Sequence, residues 1–86
     1  MAKPKTPRFA PPARRFLEDA TPPLKDRLKQ AILDIAQDPL LGKPLKGEMK
    51  GSYSYRVGDW RVIYSFDKEF VYFEVIRHRR EVYRRK

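Results

Sequence analysis

The sequence has no cysteine. That excludes a disulfide-stapled scaffold, thiolate zinc sites and a cysteine nucleophile. It has one histidine, and without thiols this leaves almost no donor set for a transition metal. No metal or other cofactor is expected. No apolar run approaches the ~20 residues of a membrane-spanning helix, and the stretch MAKPKTPRFAPPARR lacks the apolar segment of a secretory signal. The expectation is a cytoplasmic protein without a membrane partner. Acidic residues are also in short supply. Asp plus Glu total 11 against 20 Lys plus Arg, a formal net charge of +9. The carboxylates are scattered: Asp59, Asp67 and Glu69 read as turn residues, Asp34 and Asp38 belong to a helix, and Glu74 and Glu81 are isolated. A two-metal nuclease needs clustered ligands for its ions, and no such cluster is evident.

What is present is a chain of 86 residues, enough for one small domain and one core. Residues 1–7 read as a flexible lead and 84–86 as a basic tail. Aromatic residues make up 13%, which argues against disorder, since disordered chains are poor in them. A large positive charge on so small a domain is the electrostatic footprint of a nucleic-acid binder. The alternative is an acidic protein partner. The two are compatible if that partner is an inhibitor.

Residues 1–12 hold Pro4, Pro7, Pro11 and Pro12 among lysines, and read as extended, with at best a short strand near Arg8 to Ala10. Pro12 suits the first position of a helix through Ala13, Phe16, Leu17 and Ala20. A second helix is clearer. Thr21 is its expected cap, and Leu24, Leu28, Ala31, Ile32 and Ile35 form one apolar stripe. Pro39 ends it and pushes Asp38 out of helical geometry. The short break between the helices predicts an αα-hairpin. Residues 39–51 read as a basic loop carrying Lys43, Lys46 and Lys50.

After Gly51 the period changes to two. Tyr53, Tyr55 and Val57, then Trp60, Val62, Tyr64 and Phe66, then Val71, Phe73 and Val75 alternate with mostly polar residues. Gly58-Asp59 is a two-residue hairpin signal and Asp67-Lys68-Glu69 a second turn. The expectation is an α+β fold: two N-terminal helices packed on the aromatic face of a small twisted antiparallel sheet of three to four strands.

The hairpin register places Arg56 directly opposite Arg61, on the face away from the helices. Like charges directly opposite across a ladder are destabilising. An anion between them reverses the sign, because guanidinium groups pair with phosphate oxygens in a fork geometry. The bland readings are that both side chains splay into solvent, or that Glu74 pairs with Arg61. One turn register puts Glu74 beside Arg61; a shifted one puts Ile76 there.

The run Arg77-His78-Arg79-Arg80-Glu81-Val82-Tyr83-Arg84-Arg85-Lys86 is a solvated basic tail on its plainest reading. Yet it holds the single histidine and a tyrosine, two groups able to move protons. Phosphodiester chemistry without metal favours RNA, whose 2′-OH can attack the adjacent phosphate. The protein then supplies a base, an acid and positive charge for the phosphorane.

The stretches LKGEMKGSYSYRVGDWRVIYSF and VYFEVIRHRREVYR resemble the RelE family of the RelE/ParE toxin superfamily, over residues 8–84. The resemblance implies a ribosome-dependent endoribonuclease that cuts mRNA in the ribosomal A site and stops translation. It implies a cognate antitoxin, and operator DNA bound only through the toxin–antitoxin complex. It implies that Arg61 stabilises the scissile phosphate, with Arg56, Arg79 and Tyr83 as further catalytic groups; His78 is a further catalytic candidate on its chemistry. It implies a ribosomal RNA contact from Lys46; Lys43, Lys50, Ser54, Arg77, Arg80 and Arg84 are further expected RNA or ribosome contacts. Ser54 departs from the pattern, because the best-studied toxins carry a lysine there. The rival readings are a ParE-like inhibitor of gyrase and a weakly catalytic relative that only binds RNA or antitoxin.

Overall fold

The alternating segments after Gly51 form the meander at the centre of the computed structural model, which describes residues 3–80. Along the chain run β1 (Thr6–Phe9), α1 (Pro11–Asp19), α2 (Leu24–Gln37), β2 (Lys43–Pro44), β3 (Tyr53–Val57), β4 (Trp60–Phe66) and β5 (Phe70–His78). The strands make one sheet of five, ordered β1-β5-β4-β3-β2. β1 runs parallel to β5 and the other pairs are antiparallel.

This corrects the expected antiparallel sheet of three to four strands. Both additions are edge strands that contain proline. Thr6 and Ala10 donate their N–H groups to Glu69 and Phe73 of the β5 side at 2.8 and 2.9 Å. Pro7 is out of phase with them, so its missing N–H falls on the unpaired side, where proline is tolerated. β1 therefore begins two residues inside the lead expected to be flexible and overlaps the short strand expected near Arg8 to Ala10. β2 is two residues long and lies in the stretch expected to be loop.

α1 begins at Pro11, and α2 at Leu24, behind Pro23. The expected cap at Thr21 is not made: Pro23 holds the N-cap position and no side chain caps it. The carbonyl of Thr21 instead accepts the Lys25 N–H at 3.0 Å. At the other end Asp38 leaves helical geometry as expected, and its carboxylate accepts the Leu40 N–H at 3.2 Å.

Both helices cover one face of the sheet. Leu28, Ala31, Ile32 and Ile35 of α2 and Ala13 of α1 are buried against Val57, Val62, Tyr64, Val71, Phe73 and Ile76. Phe9 stacks on Phe73 with ring centres 5.2 Å apart, and Phe16 meets Trp60 at 4.8 Å. Tyr64, fully buried, donates from its hydroxyl to the Pro39 carbonyl at 2.6 Å and accepts the Gly42 N–H at 2.9 Å. The basic segment after Pro39 is thereby tied to the sheet. Burial pushes the Tyr64 phenol above its ordinary value of 10.0.

β5 is bulged. Tyr64 faces Phe73 but Ile63 faces Val75, so Glu74 has no partner across the ladder. The alternation of β5 changes phase there. Ile76 enters the core, while Val75, expected on the aromatic face, faces Ile63 on the other side.

Candidate active site

The β3–β4 hairpin turns through Gly58, whose φ of +62 and the negative φ of Asp59 fit a turn with glycine at its first central position. That turn sets the expected register: Val57 faces Trp60 and Arg56 faces Arg61. The third strand departs from both expected alignments. Neither Glu74 nor Ile76 lies beside Arg61; Arg77 does. The bulge at Glu74 is the cause. Without the extra residue, His78 would share the arginine face and Arg77 would point toward the helices. With it, Arg56, Arg61 and Arg77 form a row across β3, β4 and β5 on the face away from the helices.

Arg79 joins this row from beyond β5. Its N–H donates to the Asp59 carbonyl at 2.7 Å, which draws the chain back over the hairpin turn. Arg56, Arg61 and Arg79, with Gly58, Asp59 and Trp60, line a cleft of about 190 Å³. Two of its guanidinium groups are oriented by the protein. Arg56 Nε donates to the Gly58 carbonyl at 3.1 Å, and Arg61 Nη1 to Ser54 Oγ at 3.3 Å.

Ser54 is only 4% exposed. Expected as an RNA contact, Ser54 is buried here, and its Oγ accepts from Arg61 Nη1. Lys43 of β2 lies directly opposite Ser54 and on its face of the sheet. A cation is therefore present beside position 54 although Ser54 itself carries none. The sequence singles out Lys43 as a loop cation but not its pairing with Ser54, because a two-residue strand is too short to show a period. Lys46 and Lys50 flank the 3-10 turn Gly47–Met49 and are exposed, away from the cleft lining.

His78 is placed on the opposite face from Arg77. It faces Trp60 across the ladder, with ring centres 5.1 Å apart in an edge-on arrangement. Its Nδ1 accepts the Arg80 N–H at 3.3 Å. With Asp59, Arg79 and Arg80 it lines a neighbouring cleft of about 550 Å³. Asp59 and Arg79 border both clefts. The structure thus gathers Arg56, Arg61, Arg77 and Arg79, and sets His78 and Arg80 next door. Tyr83 and Arg84 lie outside the described residues. Among the described residues, no three His, Asp or Glu side chains gather into a metal site. No described helix is long and apolar enough to cross a membrane.

Guanidinium groups on one sheet face are the donor type that suits a phosphate and added negative charge on it. Crowded guanidinium groups repel one another when empty, and an anion between them turns that repulsion into charge-assisted hydrogen bonding.

Comparison with known proteins identifies the family. The family model for the ParE toxin of type II toxin–antitoxin systems matches residues 8–83. The chain is 37% identical over 86 residues to the toxin RelG of Mycobacterium tuberculosis, spanning 95% of this chain and 99% of that one. Among solved structures, it resembles a chain of the RelBE2 toxin–antitoxin complex of M. tuberculosis with a TM-score of 0.78 and 34% identity, over 87% of this chain and 91% of that one. A chain of the RelBE complex of E. coli shares the fold, with a TM-score of 0.71 at 18% identity, over 84% and 93%. The chain belongs to the ParE toxin family, within the RelE/ParE superfamily of type II toxin–antitoxin toxins.

Proposed function

We propose that this toxin is a ribosome-dependent endoribonuclease that cuts mRNA and halts translation. The observation that carries the reading is the cleft shared by Arg56, Arg61 and Arg79, with Arg77 beside Arg61 in the row on the same sheet face. In the proposed reaction the 2′-oxygen of a ribonucleotide attacks its own 3′-phosphate. The bond from phosphorus to the 2′-oxygen forms and the bond to the 5′-oxygen of the next nucleotide breaks. The 2′-hydroxyl proton goes to a base, and the leaving 5′-oxygen takes a proton from an acid. The products are a 2′,3′-cyclic phosphate and a 5′-hydroxyl. Arg61, at the centre of the row, stabilises the extra charge of the phosphorane. Arg56 and Arg79 flank it. His78, beside the cleft, and Tyr83 are the proton-transfer candidates.

Lys43, Lys46 and Lys50 supply ribosomal RNA contacts in this reading. The ribosome holds the mRNA so that the 2′-hydroxyl lines up with the phosphate, a contribution of orientation that the small cleft does not make alone. The solved relatives from M. tuberculosis and E. coli are toxin–antitoxin complexes, which supports a cognate antitoxin here. Operator DNA is then bound only through that complex.

The ParE name of the matched family favours one second reading, inhibition of gyrase. Induction in cells with paired labelling of new protein and new DNA separates the two. The proposed function predicts that protein synthesis stops first and that cut mRNA accumulates on ribosomes. Arrest of DNA synthesis first, with mRNA intact, would favour the gyrase reading.

A further inference from the structure

The face that carries the arginine row continues along β5 to a second cluster that the proposed cleavage does not use. Phe70 and Tyr72 share this face, and Arg8 of β1 lies directly beside Tyr72. Tyr72 is 38% exposed although it is a large aromatic side chain. The Arg8 guanidinium sits over the Phe70 ring, 4.5 Å from its centre, and the Phe70 and Tyr72 rings are 5.9 Å apart. The Tyr72 ring is held at its far end, where its hydroxyl donates to the Asp67 carboxylate at 2.7 Å. That carboxylate is itself fixed by the N–H groups of Glu69 and Phe70 at 2.9 and 2.8 Å. The result is an exposed aromatic ring with a fixed orientation beside a planar cation.

We infer that Tyr72, with Arg8 and Phe70, is a stacking platform for an unpaired base of the RNA strand whose phosphate lies in the arginine row. The inference rests on the ribonuclease reading. Single-stranded nucleic acid is bound by joining a basic track to aromatic rings that take bases by stacking. Here the two lie on one sheet face. Tyr72 faces Ser65 and Arg77 faces Arg61, so the bulge leaves them about 13 Å apart along the sheet, four residues of β4 at roughly 3.3 Å each. Glu74 lies between them, and its carboxylate accepts the Ser52 hydroxyl at 3.3 Å. A phosphate is repelled from that middle position. The strand therefore places phosphate at the arginine end and a base at the Tyr72 end. Stacking of this kind tolerates every base, so the platform adds affinity without sequence choice.

The test is equilibrium binding of an uncleavable 2′-O-methyl RNA octamer to the purified toxin across a salt series. Tyr72→Leu is expected to weaken binding about tenfold at every salt concentration, within the range for one lost base stack. The slope of log affinity against log salt stays unchanged, because no phosphate contact is lost. Tyr72→Phe keeps the ring and binds close to the parent. Arg61→Ala instead lowers the slope by about one. If Tyr72→Leu binds like the parent, or if Tyr72→Phe loses as much as Tyr72→Leu, the platform is refuted. It is equally refuted if Tyr72→Leu weakens only antitoxin binding, which would assign this surface to the antitoxin. A loss in Tyr72→Leu with an unchanged slope in Arg61→Ala would uphold the platform and remove the phosphate reading of the arginine row.

Discussion

Replacing Arg61 by alanine separates the chemistry of this sheet face from its stability. Arg61 lies between Arg56 and Arg77, so the substitution relieves two cross-strand repulsions. Each cross-strand pair is worth roughly 0.2–1 kcal/mol. Against this stands the Nη1 bond to Ser54 at 3.3 Å, a net contribution of roughly 0.5–1.5 kcal/mol or somewhat more for a charged donor. The two effects oppose one another, and the residue is outside the helix-side core, so truncation should change stability far less than it changes activity. Catalysis behaves differently. Loss of one preorganised donor to a developing charge costs about 10²–10³ in rate, or roughly 2.7–4 kcal/mol of barrier. The assay is thermal melting of the variant beside its cleavage rate on programmed ribosomes. Arg61→Lys is the informative companion. It keeps a charge but loses the planar fork, and should fall between parent and alanine. Full activity in Arg61→Ala, or an activity loss matched by unfolding at the assay temperature, would refute the reasoning.

The other predictions concern the scaffold and the partner. Trp60→Ala should act through folding: the ring packs on Phe16, and its loss should cost about 3 kcal/mol, seen as a lower melting midpoint alongside lost toxicity. Tyr64→Phe leaves the Pro39 carbonyl and Gly42 N–H without their partner, at a cost of about 1–3 kcal/mol. Because the folded Tyr64 pKa is raised, the protonated phenol is favoured in the fold. Its contribution is complete below pH 10 and is lost as pH rises through the folded value. The stability gap between parent and Tyr64→Phe should therefore narrow in alkaline denaturation curves; a constant gap would contradict it. Association with the antitoxin should slow as salt rises, given the +9 charge. An association rate that ignores salt would exclude electrostatic steering.

The parts of the site legible in the sequence were those set by short-range rules. Gly58-Asp59 determines a two-residue turn, and the turn alone dictates that Arg56 faces Arg61. The α2 stripe likewise follows from spacing: Leu28, Ala31, Ile32 and Ile35 are buried as the spacing selects, while Leu24 is only half-buried and Ala36, outside the stripe, is buried as well. The illegible parts depend on contacts distant in the chain. β1 and β2 are too short to show a period and contain prolines that ordinarily argue against strands; their edge positions make those prolines harmless. The bulge at Glu74 had the largest consequence for function. A strand of unbroken alternation puts His78, not Arg77, among the arginines. Nothing in FVYFEVIRH announces the extra residue, although Glu74 within an apolar run is the natural place for it. The same shift turned Ile76 inward and Val75 outward.

The central claim is that the arginine row stabilises attack by a 2′-hydroxyl on the adjacent phosphate of ribosome-bound mRNA. It is tested most directly by programming ribosomes with an mRNA that carries one 2′-deoxy nucleotide at the mapped cleavage position. The account predicts efficient cutting of the all-ribose message, with a 2′,3′-cyclic phosphate and a 5′-hydroxyl at the new ends, and no cutting at the deoxy position. Continued cleavage at the deoxy position would contradict it, since the nucleophile would then come from elsewhere.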